Sequence, residues 1–261
     1  VAENPSNAPA VNYFAGSGDT LPPGHLALLT GRYWGVGGVK LSVQFLDVES
    51  SDLKKRILAH ANVWGESANI VFALTGGIGD VRVATRPGDG YWSYLGTDIR
   101  HIAPQMPTMN LDSFSMQTPE SEFLRVPPHE FGHSCGFPHE HMRSGLVRRL
   151  DPQKTIAYFL LTQGWSPQMT EQQVLTPIPE SDLQSATPVD QVSIMCYSLP
   201  AEITIDGLPI VGGSAIDSTD RAVAAQYYPK APVAAAPVPP AQPGWTITIS
   251  GTGPKPSVSS V

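Results

Sequence analysis

Over residues 39–46 apolar and polar positions alternate, with Val39, Leu41, Val43 and Phe45 on one side, which predicts a half-buried strand. The period changes at Ser50. Leu53, Ile57 and Leu58 recur at helical spacing over residues 50–61, so a helix follows the strand. Two more strands are predicted at 70–74 and 81–85, parted by a Gly-Gly-Ile-Gly turn and followed by Pro-Gly-Asp-Gly. Residues 108–114 read as a further short strand. Residues 119–126 read as helical turns, with Thr118 as cap and Pro119 at the first helical position. Helices are predicted again at 156–161, at 168–175 and at 218–227, the last capped by Asp217 or Ser218 and stopped before Pro229. No internal repeat is visible. The pattern is that of an α+β chain, with strands in its first half and helical and irregular segments in its second.

The ends differ from the middle. Residues 1–30 are rich in Pro, Asn, Gly and Ala without periodicity and read as an N-terminal arm. Residues 231–243 form a Pro/Ala-rich linker, and 244–261 contain one alternating stretch, Trp245 to Ile249, that reads as a docked strand or the remnant of a further module. The globular domain is therefore expected over 31–230. With 261 residues, 41% of them hydrophobic, the chain can bury a sizeable core. No run approaches the roughly 20 apolar residues of a membrane-spanning helix. Sixteen Lys and Arg against 23 Asp and Glu give a net charge of −7, which argues against nucleic acid as a partner. Only 15% of residues are charged, and 24 Gly with 26 Pro suit a loop-rich secreted protein. The first residue is Val1, with no charged segment leading into an apolar one, so the expectation is a mature, extracellular chain whose signal or pro-segment has been removed. The oligomeric state is not legible.

Four of the seven histidines fall between His129 and His141, in the run His-Glu-Phe-Gly-His-Ser-Cys-Gly-Phe-Pro-His-Glu-His. On a helix, His129 and His133 project from one face and can share one Zn²⁺. Glu130 lies about 100° further round, where it reaches water beside the metal without ligating. Gly136 supplies a left-handed helix end and Pro138 prevents continuation, so the chain turns back and brings His139 to the same ion. Three neutral imidazoles leave a coordination position open, which marks a catalytic site rather than a closed structural one. His141 is expected to point elsewhere, and His25, His60 and His101 stand alone.

The run HEFGHSCGFPH resembles the extended zinc signature of the metzincin metallopeptidases, and Ser193-Ile194-Met195-Cys196-Tyr197 resembles their Met-turn. Glu140 directly after the third histidine, with Arg143 close behind, is similar to the astacin family. Weaker similarity runs from about Gly31 to Pro229, through Arg32-Tyr33-Trp34, the stretch from Tyr91 to Gly96, and Ser218-Thr219-Asp220. The resemblance implies a twisted mixed sheet and a zinc helix above an active-site cleft, with an irregular, partly helical part below. It implies Met195 as the apolar floor under the metal, Tyr197 as an additional zinc ligand that also stabilises the oxyanion, and Glu140 as a structural residue meeting the mature N-terminus. It implies too an outer strand, taken as 108–114, pairing antiparallel with an extended protein or peptide substrate.

The chain also departs from the family. It has two cysteines where astacins carry four, and Ser144-Gly145-Leu146 stands where they carry a charged run. Pro127 and Pro128 precede His129, so the zinc helix is expected to start late or kink. The family fold brings the positions of Cys135 and Cys196 near one another, which leaves a disulfide and two buried thiols equally open. The expected function is that of a zinc-dependent endopeptidase with one catalytic ion and Glu130 as general base. The alternatives are a secreted zinc-binding adhesion or binding protein with an inactive protease-like site, and a zinc deacylase. Retention of Glu130 argues against the first, since binding alone needs no such carboxylate.

Overall fold

The computed structural model describes residues 30–183 and 189–231. The N-terminal arm, the linker beyond residue 231 and the alternating stretch at Trp245 to Ile249 lie outside the described residues.

Five strands form one mixed sheet. They are β1 (Val39–Phe45), β2 (Ile70–Leu74), β3 (Val81–Ala84), β4 (Tyr91–Ser93) and β5 (Met109–Leu111), in the order β2-β1-β3-β5-β4. Strand β1 runs parallel to β2, with Val39 opposite Ile70, and to β3, with Val43 opposite Val81. Strand β3 is parallel to β5, and β4 is antiparallel to it, Trp92 facing Asn110. Val39, Leu41 and Val43 are buried as their alternation requires, and Phe45 is half-buried. The expectation of an outer strand at 108–114 is corrected here. Strand β5 lies inside the sheet between β3 and β4, and the outer antiparallel strand is β4, whose three residues are too few to show a period.

Helix α1 (Ser51–Ala61) starts where Ser50 accepts from the amide of Leu53 at 3.2 Å, and it buries Leu53, Ile57, Leu58 and Ala61. It packs beside α2 (Glu120–Ser134), the helix that carries His129 and His133. Two expectations about α2 fail. Thr118 does not cap it, because its hydroxyl accepts from the amide of Ser115 and closes the preceding turn; Pro119 stands at the cap position. Nor do Pro127 and Pro128 delay it, for the helix is continuous through both. Two interior prolines cost about 6 kcal/mol together, and burying Phe123, Val126 and Phe131 at roughly 1.5–3 kcal/mol each offsets that. The indole of Trp64, itself fully buried, also donates to the carbonyl of Pro128 at 2.8 Å. Gly136, at φ 97°, ends the helix as predicted.

Below α2 the chain makes short pieces: α3 (Ser144–Val147), α4 (Pro152–Gln163), α5 (Pro167–Thr170) and a π-helical turn at Glu171–Leu175. Helix α4 begins earlier than its apolar residues suggest, since Asp151 accepts from the amides of Gln153 and Lys154 and Pro152 fits the first turn. Leu146, Leu150, Phe159, Trp165 and Leu199 are among the residues of a small second core here. Helix α6 (Ser218–Tyr227) is capped by Asp217, with Asp220 completing a capping box, and returns Val223, Ala224 and Tyr227 to the main core. Among the described residues no helix is long and apolar enough to cross a membrane.

Candidate metal centre

His129, His133 and His139 are buried and converge, with one ligand atom from each lying within 4.8 Å of the others. The Nε2 atoms of His129 and His133 stand 3.3 and 3.1 Å from Nε2 of His139. On the far side of the rings, Nδ1 of His129 donates to the carbonyl of Ile194 and Nδ1 of His133 to that of Phe137, both at 2.7 Å. Those carbonyls fix the tautomer, so both Nε2 atoms present lone pairs to the common centre. Three imidazole nitrogens arranged in this way suit a borderline-soft cation such as Zn²⁺. The residues present therefore fit the ion that the spacing predicts.

Glu130, next to His129 on α2, is 1% exposed. Met195 sits beneath the helix. A Cβ added at Gly132 would come within 2.7 Å of the Met195 sulfur and 3.1 Å of the Trp64 ring, so only glycine lets helix, thioether and indole meet this closely. The turn at 193–196 is tied from two sides. The carbonyl of Met195 accepts from the amide of Glu140 at 2.9 Å. Buried Asp220 accepts from the hydroxyl of Ser193 at 2.6 Å and from the amide of Ile194 at 2.9 Å. Burial pushes the Asp220 carboxyl up to about 6, against the pull of these hydrogen bonds.

The Tyr197 ring lies 4.5 Å from that of His139 and 6.0 Å from that of His129, centroid to centroid. Glu140 is fully buried, its carboxylate accepting from Arg143 at 3.3 Å and from the amide of Asp190 at 3.2 Å. The disulfide alternative is corrected: Cys135 and Cys196 are free thiols, both buried. Cys135 belongs to the main core and Cys196 to the second. Burial pushes both thiols well up, so they stay protonated and pack as small apolar groups.

Two contributors escaped the sequence reading. His141 stays out of the three-histidine cluster as expected, its Nε2 facing the Gln173 carbonyl, but its ring stacks on Tyr197; Asp220, noticed only as part of a helix start, holds the turn at 193–196. Strand β4 packs against α2, the Ser93 hydroxyl lying 3.3 Å from that of Ser134 at the helix end. A cavity of about 280 Å³ opens beside His129 and Tyr197, lined also by Arg125, Tyr158, Phe159 and Leu199.

No protein-family model matches the sequence, and no curated protein does. Solved structures match. One structure of myroilysin is 28% identical, with a TM-score of 0.73, over 78% of this chain and 99% of that one. A crystal structure of myroilysin is 29% identical, with a TM-score of 0.58, over 76% of this chain and 86% of the other. High choriolytic enzyme 1, a hatching-enzyme zinc-protease of the medaka fish Oryzias latipes, aligns over 74% of this chain and 92% of its own at 16% identity and a TM-score of 0.48. The mixed sheet, the histidine helix and the turn beneath it, together with the myroilysin matches, make this an astacin-like metzincin fold.

Proposed function

We propose that this chain is a zinc-dependent endopeptidase that hydrolyses peptide bonds in proteins, acting outside the cell through a catalytic domain at 31–230. The observation that carries the reading is the convergence of three buried imidazole nitrogens, from His129 and His133 on α2 and His139 beyond its end, with a buried carboxylate, Glu130, next to His129 on that helix. A zinc ion held by His129, His133 and His139 would supply Lewis-acid polarisation of the scissile carbonyl and a lowered pKa for water. Glu130 takes the proton of the attacking water and returns it to the leaving amine. Tyr197, beside His139, directs its hydroxyl to the oxygen on which charge grows and would serve as an additional ligand to the ion. Met195 and Glu140 keep the turn and the third histidine together.

The substrate side of the reading rests on β4. It is the last strand of the sheet and antiparallel to its neighbour, so an extended peptide can add beside it by backbone hydrogen bonding. The cavity next to Tyr197 then offers room for a bulky side chain flanking the scissile bond.

The test is cleavage of an unfolded protein by the purified zinc-loaded chain, with and without a chelator, beside Glu130→Ala at equal zinc content. Loss of cleavage by about 10³-fold or more in the variant is expected. If the zinc-loaded wild type cuts nothing, or the variant cuts as well, the endopeptidase reading is wrong and a binding role takes its place. The new termini of the products report the side chain that the cavity accepts.

A further inference from the structure

Tyr197 follows the tight turn at 193–196, and what lies flat against its ring is His141. The two ring centroids are 4.1 Å apart and the planes 17° from parallel. His141 is fully buried, and its Nε2 lies 3.1 Å from the carbonyl oxygen of Gln173, so that nitrogen carries the proton and donates it. Gln173 sits in the π-helical turn Glu171–Leu175, where the amide of Thr176 bonds back five residues to the carbonyl of Glu171 at 2.7 Å. The last carbonyls of a helix have no partner within it, and the wide turn aims this one at the imidazole. Gln173 is itself buried, which makes the contact a fixed one.

We propose that His141 is the positioning residue for Tyr197. Its imidazole, locked by the Gln173 carbonyl, forms a shelf that keeps the phenol beside His139 and His129. The inference rests on the role given to Tyr197 above and adds the device that orients it. A stacked aromatic pair favours one ring orientation by about tenfold, enough to decide how often the hydroxyl is in place.

Three variants test this: His141→Ala, His141→Phe and Tyr197→Phe. In the metal-free chain carrying ¹³C-labelled tyrosine, the Tyr197 resonance is identified by its disappearance in Tyr197→Phe. The stacked ring should shift that resonance in the wild type and in His141→Phe, and it should move toward the free-tyrosine position in His141→Ala. In the zinc-loaded chain, His141→Ala should lower kcat by about tenfold with KM unchanged, while His141→Phe, which keeps the shelf, keeps most of the rate. Adding His141→Ala to Tyr197→Phe should then cost nothing more. An unmoved Tyr197 resonance in His141→Ala, or an equal loss of kcat in the Tyr197→Phe background, would overturn the proposal. If Tyr197→Phe alone leaves kcat intact, the catalytic reading of Tyr197 falls, and the resonance still decides whether His141 sets its ring.

Discussion

Above the histidines, the sheet, α1, α2 and α6 share one apolar cluster that runs from Val39 to Tyr228 and takes in Phe137, Ile194 and Met195, whereas the rest of the chain between Pro138 and Gly213 has smaller clusters and is pinned by single polar contacts. In the lower part Arg149 reaches Asp206, Gln191 and the carbonyl of Leu208, and Arg143 bridges Glu140 and Glu180. The difference teaches where each kind of order comes from. Non-directional burial fixes the upper part, and many substitutions there are felt as stability. Directional bonds fix the lower part, so substitutions there are felt first as misplacement of the groups around the three histidines.

The sharpest way to break this comparison is Trp64→Ala. Trp64 is fully buried, stacks on Phe137 at 5.1 Å and donates to Pro128, so its loss should lower the stability of the metal-free chain by about 4 kcal/mol in denaturant titration. A cost below about 1 kcal/mol would mean that the upper cluster does not act as one core.

Asp220 ties the two parts together, and pH reads it. Its carboxyl is raised from 3.8 to about 6 in the fold, so the folded chain holds this proton more tightly than the unfolded one. The resulting stability is fully present below pH 3.8 and is lost as pH rises through about 6. It amounts to about 3 kcal/mol. Urea midpoints of the metal-free chain across that window should show the slope in the wild type and not in Asp220→Asn; parallel slopes would remove Asp220 from the account.

Gly132→Ala has a smaller expected effect, because two terms oppose. Alanine favours the helix by about 1 kcal/mol, while pushing the Met195 sulfur and the Trp64 ring aside costs about 2 kcal/mol. A net loss of about 1 kcal/mol with a clear fall in turnover is expected. Unchanged turnover would separate Met195 from the site. Leu161→Lys on α4, where Leu161 is 85% exposed, should shift stability by no more than about 0.5 kcal/mol; a larger change would mean that Leu161 packs against something.

What was legible in the sequence was local. The alternation of Val39, Leu41 and Val43, the helical spacing of Leu53 and Ile57, and the offsets of His129, His133 and His139 each need only neighbours a few residues away. The Asp217 cap and the Gly136 helix end were legible for the same reason. The order of strands in the sheet is not local. Nothing in Tyr91-Trp92-Ser93 says that it lies outside Met109–Leu111, so the outer strand was misplaced. The Gln173 carbonyl that locks His141 and the Asp220 carboxylate that holds Ile194 lie 32 and 26 residues away, and no periodicity spans such gaps. Pro127 and Pro128 misled because proline's penalty is local while the burial that outweighs it is not.

Those prolines bear on the order in which the chain folds. A detached 120–134 segment, with two adjacent prolines and a glycine among its fifteen residues, cannot hold a helix by itself, and its circular dichroism in water should be that of a coil. Helix α2 then forms only as it docks against α1 and the sheet, so His129 and His133 reach their common face late. A newly made chain would have no spacing fit for a metal until its main core had closed, and kinetic experiments should find metal uptake trailing the burial of Trp64.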